Sequence, residues 1–230
     1  MAEDFILINN HKHIRYENDS NLDGGISLQK SEEFLTQINK RRSIRTFSDK
    51  PVSKTIIENI IKSASTAPSG AHKQPWTFCA ISNPELKKQI RIAAEEEEKI
   101  SYESRMSERW KDDLAHLGTD MHKPFLENAP WLIIAFKKVY DLDENGEKHN
   151  NYYVNESVGI ACGFLIAAIH NAGLATLTHT PSPMNFLEKI LNRPKNERAY
   201  ILFPVGYAHE ETFVPNIKRK PLEDVSEFYE

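Results

Sequence analysis

The stretch Thr66-Ala67-Pro68-Ser69-Gly70-Ala71-His72-Lys73-Gln74-Pro75-Trp76-Thr77-Phe78 decides how this chain folds. Upstream of it, Ile56, Ile57, Ile60, Ile61 and Ala64 recur at helical spacing on one face. Pro68 ends that helix, because proline disfavours helical backbone at the residue before it. Gly70 permits a sharp turn and the close approach of another group. Pro75 stops the turn from continuing, and residues 76–81 form a β-rich apolar run. The amides of Ser69, Gly70 and Ala71 fall in a short loop with no evident internal acceptor, and such amides are donors available to a ligand. Taken alone, the loop reads equally as an ordinary helix-to-strand connection.

The chain has 230 residues, 40% of them hydrophobic, which suits one domain or a domain with a sizeable insertion. Its net charge of -4 gives no general attraction to nucleic acid or an anionic membrane. Any anion site must be a local cluster of basic residues. Cys79 and Cys162 sit in apolar runs and offer neither a disulfide framework nor metal-ligand spacing, so a reducing compartment is expected. The longest apolar run, residues 158–169, is too short to span a bilayer, and the N-terminus lacks a signal-peptide pattern. A cytoplasmic protein with no nucleic-acid or membrane partner follows.

Residues 1–30 are polar and read as an arm, with a turn at Asp23-Gly24-Gly25. His11 and His13 are metal ligands or a solvated terminal pair. Ser31 can cap a short helix through Phe34, Leu35 and Ile38 to Arg42. Asn83-Pro84-Glu85 is a helix start with a cap, a proline at the first position and an acid near the positive end of the dipole. Residues 95–123 are highly charged, with Ile100, Tyr102, Met106, Trp110, Leu114 and Leu117 as sparse apolar members, and read as a surface insertion that covers something. Residues 131–136 form a buried strand, residues 143–151 a polar loop, and residues 154–171 a helix apolar on nearly every face, ended by Gly173. The small residues of that helix predict close packing at the centre of the fold or of a dimer. Residues 174–180 read as a short strand, Ser182-Pro183 as the start of a helix, and residues 200–205 as a strand. The tail, residues 208–230, has little to bury by itself. Strands separated by helices, without internal repeats, make the fold class α+β or α/β.

Arg41, Arg42 and Arg45, with the Ser43 hydroxyl, form a basic cluster whose guanidinium forks match phosphate oxygens. The same triplet, and Arg219 in the tail, also read as solvated basic runs. No nucleophile stands out: Ser69 lacks a nucleophile-elbow context, and neither cysteine has an evident base beside it. The histidines show no zinc spacing, and His72 reads as structural or functional. An enzyme without its own nucleophile or metal must take its chemistry from an organic cofactor.

Three motifs in order carry a resemblance: Arg41-Arg42-Ser43-Ile44-Arg45; Ala67-Pro68-Ser69-Gly70 with Gln74-Pro75-Trp76; and Phe203-Pro204-Val205-Gly206-Tyr207. Over residues 31–222 the chain resembles the nitroreductase superfamily of flavoproteins. Within it the chain is similar to the iodotyrosine deiodinase branch, through Ala71-His72, Glu98, Tyr102, Arg105-Met106, Arg109-Trp110, Ile160-Ala161-Cys162-Gly163, Asn171-Ala172-Gly173-Leu174 and Lys218-Arg219-Lys220-Pro221-Leu222. The resemblance implies an α+β nitroreductase-like fold, a mixed central sheet flanked by helices, in an intertwined homodimer with FMN at the interface. Residues 31–230 are the FMN domain in this reading, residues 95–123 its substrate lid, and residues 208–230 a tail over the partner subunit. Arg41, Arg42, Ser43, Arg45 and Arg219 then match flavin-phosphate residues, and Pro68, Ser69 and Gly70 the loop against the isoalloxazine. Thr178, His179 and Thr180 match a segment beside the ring, with the Thr180 hydroxyl at flavin N5. The family more often has threonine where this chain has His179.

The resemblance makes Glu98, Tyr102 and Lys123 the lid residues that meet substrate. An amino acid zwitterion needs an anion for its ammonium and a cation for its carboxylate; Glu98 and Lys123 supply these, and the Tyr102 hydroxyl bonds either group. Glu98 and Tyr102 share a helix face at four-residue spacing, and Glu95, Glu96 and Glu97 read as a solvated acidic face. Ordering all 29 residues of the insertion on binding would cost roughly 30–60 kcal/mol at about 1–2 kcal/mol per residue. A few charge-assisted bonds return only about 1.5–3 kcal/mol each. The helix near Glu98 is therefore expected to be partly formed beforehand, with Met106 and Trp110 as apolar docking surface. The implied reaction is FMN-dependent reductive dehalogenation of halotyrosines such as mono- and diiodotyrosine. The phenolate is held by the Ala71 amide, one-electron steps are eased by Thr180, and electrons come from NAD(P)H or a reductase. The alternatives are a general FMN nitroreductase or quinone reductase using NAD(P)H, and a non-catalytic flavin or amino-acid sensor.

Overall fold

The computed structural model describes residues 5–16 and 23–230, which divide into two compact units, residues 1–40 and 41–230. In the first unit β1 (Phe5–Ile8) and β2 (His11–Ile14) form an antiparallel hairpin, turned by Asn9 and Asn10 at φ 50° and 65°. Asparagine tolerates this left-handed backbone, which the tightest hairpin turns require. The metal-or-solvent pair His11 and His13 lies on exposed β2. α1 (Gly24–Asn39) starts eight residues earlier than a Ser31 cap would place it. Asp23 is its cap, accepting from the Ile26 amide at 2.9 Å, so the expected Asp23-Gly24-Gly25 turn is a helix N-terminus and Ser31 lies inside the helix. A good cap outweighs the poor helix propensity of two glycines.

The second unit is a sheet between helices. α2 (Lys54–Ser65) is capped by Ser53 and ends before Pro68. β3 (Trp76–Ile81) and α3 (Pro84–Ile100, capped by Asn83) follow the expected bounds. A π-helical turn, Ser101–Arg105, leads to α4 (Glu108–Ala115), and α5 (Phe125–Asn128) precedes β4 (Trp131–Lys138). The expected polar loop at residues 143–151 is instead a hairpin, β5 (Tyr140–Leu142) with β6 (Lys148–Asn150). The Asp143 carboxylate closes it by accepting from the Asn145 and Glu147 amides at 2.9 and 2.8 Å. α6 (Val154–Asn171) is as expected. The segment read as a strand over 174–180 shortens to β7 (Ala175–Thr176), α7 (Asn185–Ile190) starts after Ser182-Pro183, and β8 (Glu197–Gly206) completes the order.

The sheet order is β3-β4-β8-β7, every strand pair antiparallel. The parallel element is the bridge between Ser43 and Thr176. β4 is the spine, with alternate side chains feeding two cores. Ile133 and Ala135 join α2 and α6 residues such as Ile57, Ile60, Val158 and Leu165 on one face. Leu132, Ile134 and Phe136 join Ile90, Leu126 and Leu187 on the other. No helix among the described residues is long and apolar enough to cross a membrane.

α6 was expected to be buried on all faces. In the single chain it buries Ser157, Val158, Ala161, Cys162, Leu165 and Ile169, while Ile160 and Phe164 remain 43% exposed. The tail is also open, with Phe213 92% and Phe228 74% exposed.

At the end of β8, a Cβ added to Gly206 would lie 2.5 Å from Pro130 Cδ and 3.3 Å from Phe47. A proline ring cannot swing aside, so the glycine lets Phe47 and the β4 entry pack on β8. Gly206→Ala is expected to lower stability by about 1–3 kcal/mol, the usual cost of overpacking. Chemical denaturation checks this as a lower midpoint at unchanged slope.

Candidate functional site

The residues singled out in the sequence fall in a cation cavity, a charged insertion, a strand segment and a strained loop. The chain from Arg41 to Arg45 is extended and pinned to the sheet edge by the Ser43–Thr176 bridge, in which the Ile44 amide donates to the Thr176 carbonyl at 3.1 Å. The tail returns to it: Arg42 donates to the Pro215 carbonyl, and Arg219 Nη2 to the Arg41 carbonyl at 3.0 Å. Between them lies a cavity of about 290 Å³ lined by Arg41, Arg42, Ser43, Arg45, Lys218 and Arg219, together with Leu117, Pro215 and Ile217. Five cations and a hydroxyl converge there, and the lining contains no carboxylate. Burial, then Arg219 and Arg42, lower the pKa of Arg41. Mutual repulsion of this kind is relieved by an anion, and arginine forks suit a phosphate monoester. The donor set therefore fits the phosphate of a flavin mononucleotide. This joins Arg219, 174 positions from Arg45 in the sequence, to the cluster near the start.

α3 carries the lid. Lys87 on it donates to the carbonyls of Glu127 and Ala129 at 2.8 and 2.7 Å, and Arg91 pairs with Glu127 and Glu95 at 2.6 and 2.7 Å. These bonds fix α3 on α5, so Glu98, two turns beyond Arg91, has a set position. Lys123 is brought beneath it from the other end of the insertion. Its backbone amide donates to Glu95 Oε1 at 2.7 Å, and its Nζ lies 3.5 Å from Glu98 Oε2. Lys123 is 3% exposed and also donates to Thr119 Oγ1 at 3.2 Å and to the Asp120 carbonyl. Burial pushes Lys123 down and Glu98 up from their ordinary ranges, and their mutual attraction opposes both shifts. The Tyr102 hydroxyl donates to the Thr119 carbonyl at 3.1 Å, with Lys123 Nζ 5.9 Å from its ring centroid. The lid residues thus converge and satisfy one another.

One expectation for the acidic run needs correction. Glu95 and Glu97 are not a solvated face: Glu95 holds Arg91 and the Lys123 amide, and Glu97 pairs with Arg105 at 3.0 Å. Arg91 and Glu95 at i, i+4 were a readable pair. The Glu97–Arg105 contact spans a π turn, so helical spacing does not announce it. Trp110, expected to dock, is 50% exposed.

His179 exchanges both backbone bonds with Leu202 of β8, at 2.8 and 3.0 Å. Strand alternation puts Thr178 and Thr180 on one side, both exposed, and His179 on the other. Its ring packs edge-on against Phe125, centroids 5.6 Å apart, and its Nε2 is buried without a hydrogen-bond partner among the described residues. Burial, with Lys123 and Arg45 nearby, lowers its pKa to about 3.

The opening loop is held by contacts from elsewhere in the chain. The Gly70 amide, expected to be available, instead donates to Ser157 Oγ on α6 at 3.2 Å. A Cβ on Gly70 would meet Tyr153 Cδ2 at 2.9 Å and the Tyr152 carbonyl at 3.0 Å, so only glycine allows this approach. The Ser69 hydroxyl accepts from the Gln74 amide at 2.9 Å. The turn's own bonds take the His72 and Lys73 amides and leave the Ala71 amide outside them. Ala71, His72 and Gln74 all have left-handed φ, at 50°, 53° and 46°. Such residues cost about 1 kcal/mol or more each, and an ordinary connection has no reason to hold three. His72 Nε2 lies 3.0 Å from the Gln74 side-chain amide, a bond within the loop.

A model of the nitroreductase family matches residues 38–207. The chain belongs to the nitroreductase family. Its relatives within that family include deiodinases. An iodotyrosine deiodinase of Haliscomenobacter hydrossis is 59% identical over 193 residues, covering 84% of this chain and 87% of that one. Iodotyrosine deiodinase 1 of Homo sapiens is 47% identical over 199 residues, covering 86% and 69%. Among solved structures, oxidised iodotyrosine deiodinase bound to FMN and 3-iodo-L-tyrosine superposes with a TM-score of 0.74 at 29% identity, over 85% of this chain and all of that one.

The buried histidine gives a pH signature. Its folded pKa of about 3 lies below the ordinary 6.5, so the unfolded chain binds the extra proton. Stability from this group is present above pH 6.5 and is lost as pH falls toward 3. At about 1.4 kcal/mol per unit, on the order of 2 kcal/mol goes between pH 6.5 and 5. His179→Thr is expected to flatten the pH dependence of stability in that window, measured by denaturation at several pH values.

Proposed function

We propose that the protein is an FMN-dependent reductive dehalogenase of halotyrosines such as mono- and diiodotyrosine. The observation that carries this reading is the buried Glu98–Lys123 pair with Tyr102 beside it, a two-charge receptor adjoining a phosphate-fitting cavity. A plain nitro or quinone reductase has no need of such a receptor. The relatives' names and the bound molecules of the matched structure agree with it.

Arg41, Arg42, Ser43, Arg45 and Arg219 would hold the phosphate. Thr178 and Thr180 would face the ring, with the Thr180 hydroxyl at flavin N5, while His179 acts from behind through its bonds to β8. When bound, FMN supplies the two electrons that, with a proton, replace the carbon–halogen bond by carbon–hydrogen and free the halide. The Ala71 amide donates to the phenolate oxygen. Its fixed left-handed backbone spares the cost of orienting that donor during the reaction. Glu98 takes the substrate ammonium and Lys123 its carboxylate. A zwitterion thus replaces the Glu98–Lys123 pair with two new pairs, whereas a singly charged ligand leaves one buried charge without a partner, which is costly.

The loop of residues 68–71 lies against Tyr152, Tyr153 and Ser157, and the arginine cavity lies against the lid and tail. We assign their union to a homodimer. Pro68, Ser69, Gly70 and Ala71 of one copy would complete the cavity of the other, covering Ile160, Phe164 and the tail. Both cysteines are free, which suits the cytoplasm, and NAD(P)H or a reductase would be the electron source.

Reduced protein mixed with 3-iodotyrosine without air is expected to release iodide; failure to do so leaves only a sensor. Glu98→Gln is expected to weaken 3-iodotyrosine about thirtyfold or more, by analogy with truncated buried charge pairs. Its affinity for 2-iodophenol should not change. If the unaltered protein binds both ligands equally, the reductase alternative is favoured.

A further inference from the structure

We propose that Arg105 is a positioning residue that sets the substrate lid in register with the strand segment carrying Thr180. This role rests on the dehalogenase reading and assigns it a residue that touches neither substrate nor flavin.

The Arg105 guanidinium makes two bonds through one nitrogen. Nη1 donates to Glu97 Oε2 at 3.0 Å and to the Ser182 carbonyl at 2.8 Å. Glu97 is the residue before Glu98 on α3. Ser182 lies two residues beyond Thr180, on a segment that is itself fixed, because His179 and Leu202 exchange both backbone bonds. Arg105 is also the last residue of the π turn that presents Tyr102. One side chain therefore joins the ammonium receptor, the tyrosine turn and the hydroxyl assigned to the flavin. A planar fork suits the task better than a flexible ammonium.

The pair is 43% and 23% exposed at its two side chains, so it adds little to overall stability. Its effect is geometric. In catalytic sites a misplacement of about 1 Å costs about a hundredfold. A lid with other supports that loses these half-exposed contacts should lose less, and only toward ligands that use the lid.

The test titrates flavin-loaded protein with 3-iodotyrosine and with 2-iodophenol, following flavin fluorescence, for the wild type, Arg105→Gln, Arg105→Lys and Glu97→Gln. Arg105→Gln should bind 3-iodotyrosine about five- to twentyfold more weakly, below the hundredfold cost of full misplacement. Its affinity for 2-iodophenol, its retention of FMN and its melting temperature should stay as in the wild type. Arg105→Lys should recover part of the loss, and Glu97→Gln, which keeps the Ser182 bond, should lose less. Trypsin should cut Arg105→Gln faster at Arg109 and Lys111 when no ligand is present. Wild-type affinity for 3-iodotyrosine in Arg105→Gln, or an equal loss for both ligands, would overturn the role. A wild type that does not bind 3-iodotyrosine would overturn the dehalogenase reading and this role with it.

Discussion

The donation from the Ile44 amide to the Thr176 carbonyl is the contact on which the functional half of the molecule depends. It is a single parallel bridge at the edge of an antiparallel sheet. It brings an extended segment carrying three arginines alongside the strand that leads to Thr178 and Thr180. The tail then closes on the same segment through Arg42 and Arg219. Without that bridge the arginines would be an unremarkable basic run in solvent. With it, five positive groups share a cavity, and their repulsion is a standing demand for a counter-anion.

A second constraint comes from dielectric surroundings. Lys123 and Glu98 are buried deeply enough that each must have a partner, and they have each other. Around them three polar side chains fix backbone: Glu95 on the Lys123 amide, Tyr102 on the Thr119 carbonyl, Lys87 on the end of α5. The receptor is rigid because its supports are bonded, which accords with the cost of ordering so long a segment at the moment of binding.

Much of the frame was legible from local pattern. The β3 run, the Asn83-Pro84 start of α3, the β4 spine and the α6 bounds all follow from apolar periodicity and caps. The arginine cluster was visible as composition, but its partnership with Arg219 needed a chain reversal that no spacing encodes. α1 began early because one Asp23 cap outweighed two glycines, and the β5–β6 hairpin was hidden because its turn depends on Asp143 side-chain bonds. The destination of the Gly70 amide was likewise unreadable, since Ser157 lies 87 positions away. Local propensity writes elements; long-range hydrogen bonds choose where they meet.

The π turn at Ser101–Arg105 holds one residue more than an α-helical turn would. Lid geometry beyond Ile100 is therefore a matter of chain length as much as of chemistry. Removing a single residue there would end the helical run, which stops at extended Met106, one residue sooner and turn the exit of the chain by about 100°. Natural variation in this turn should accordingly favour exchange of side chains over insertion or deletion, because the surplus residue is what aims the tyrosine.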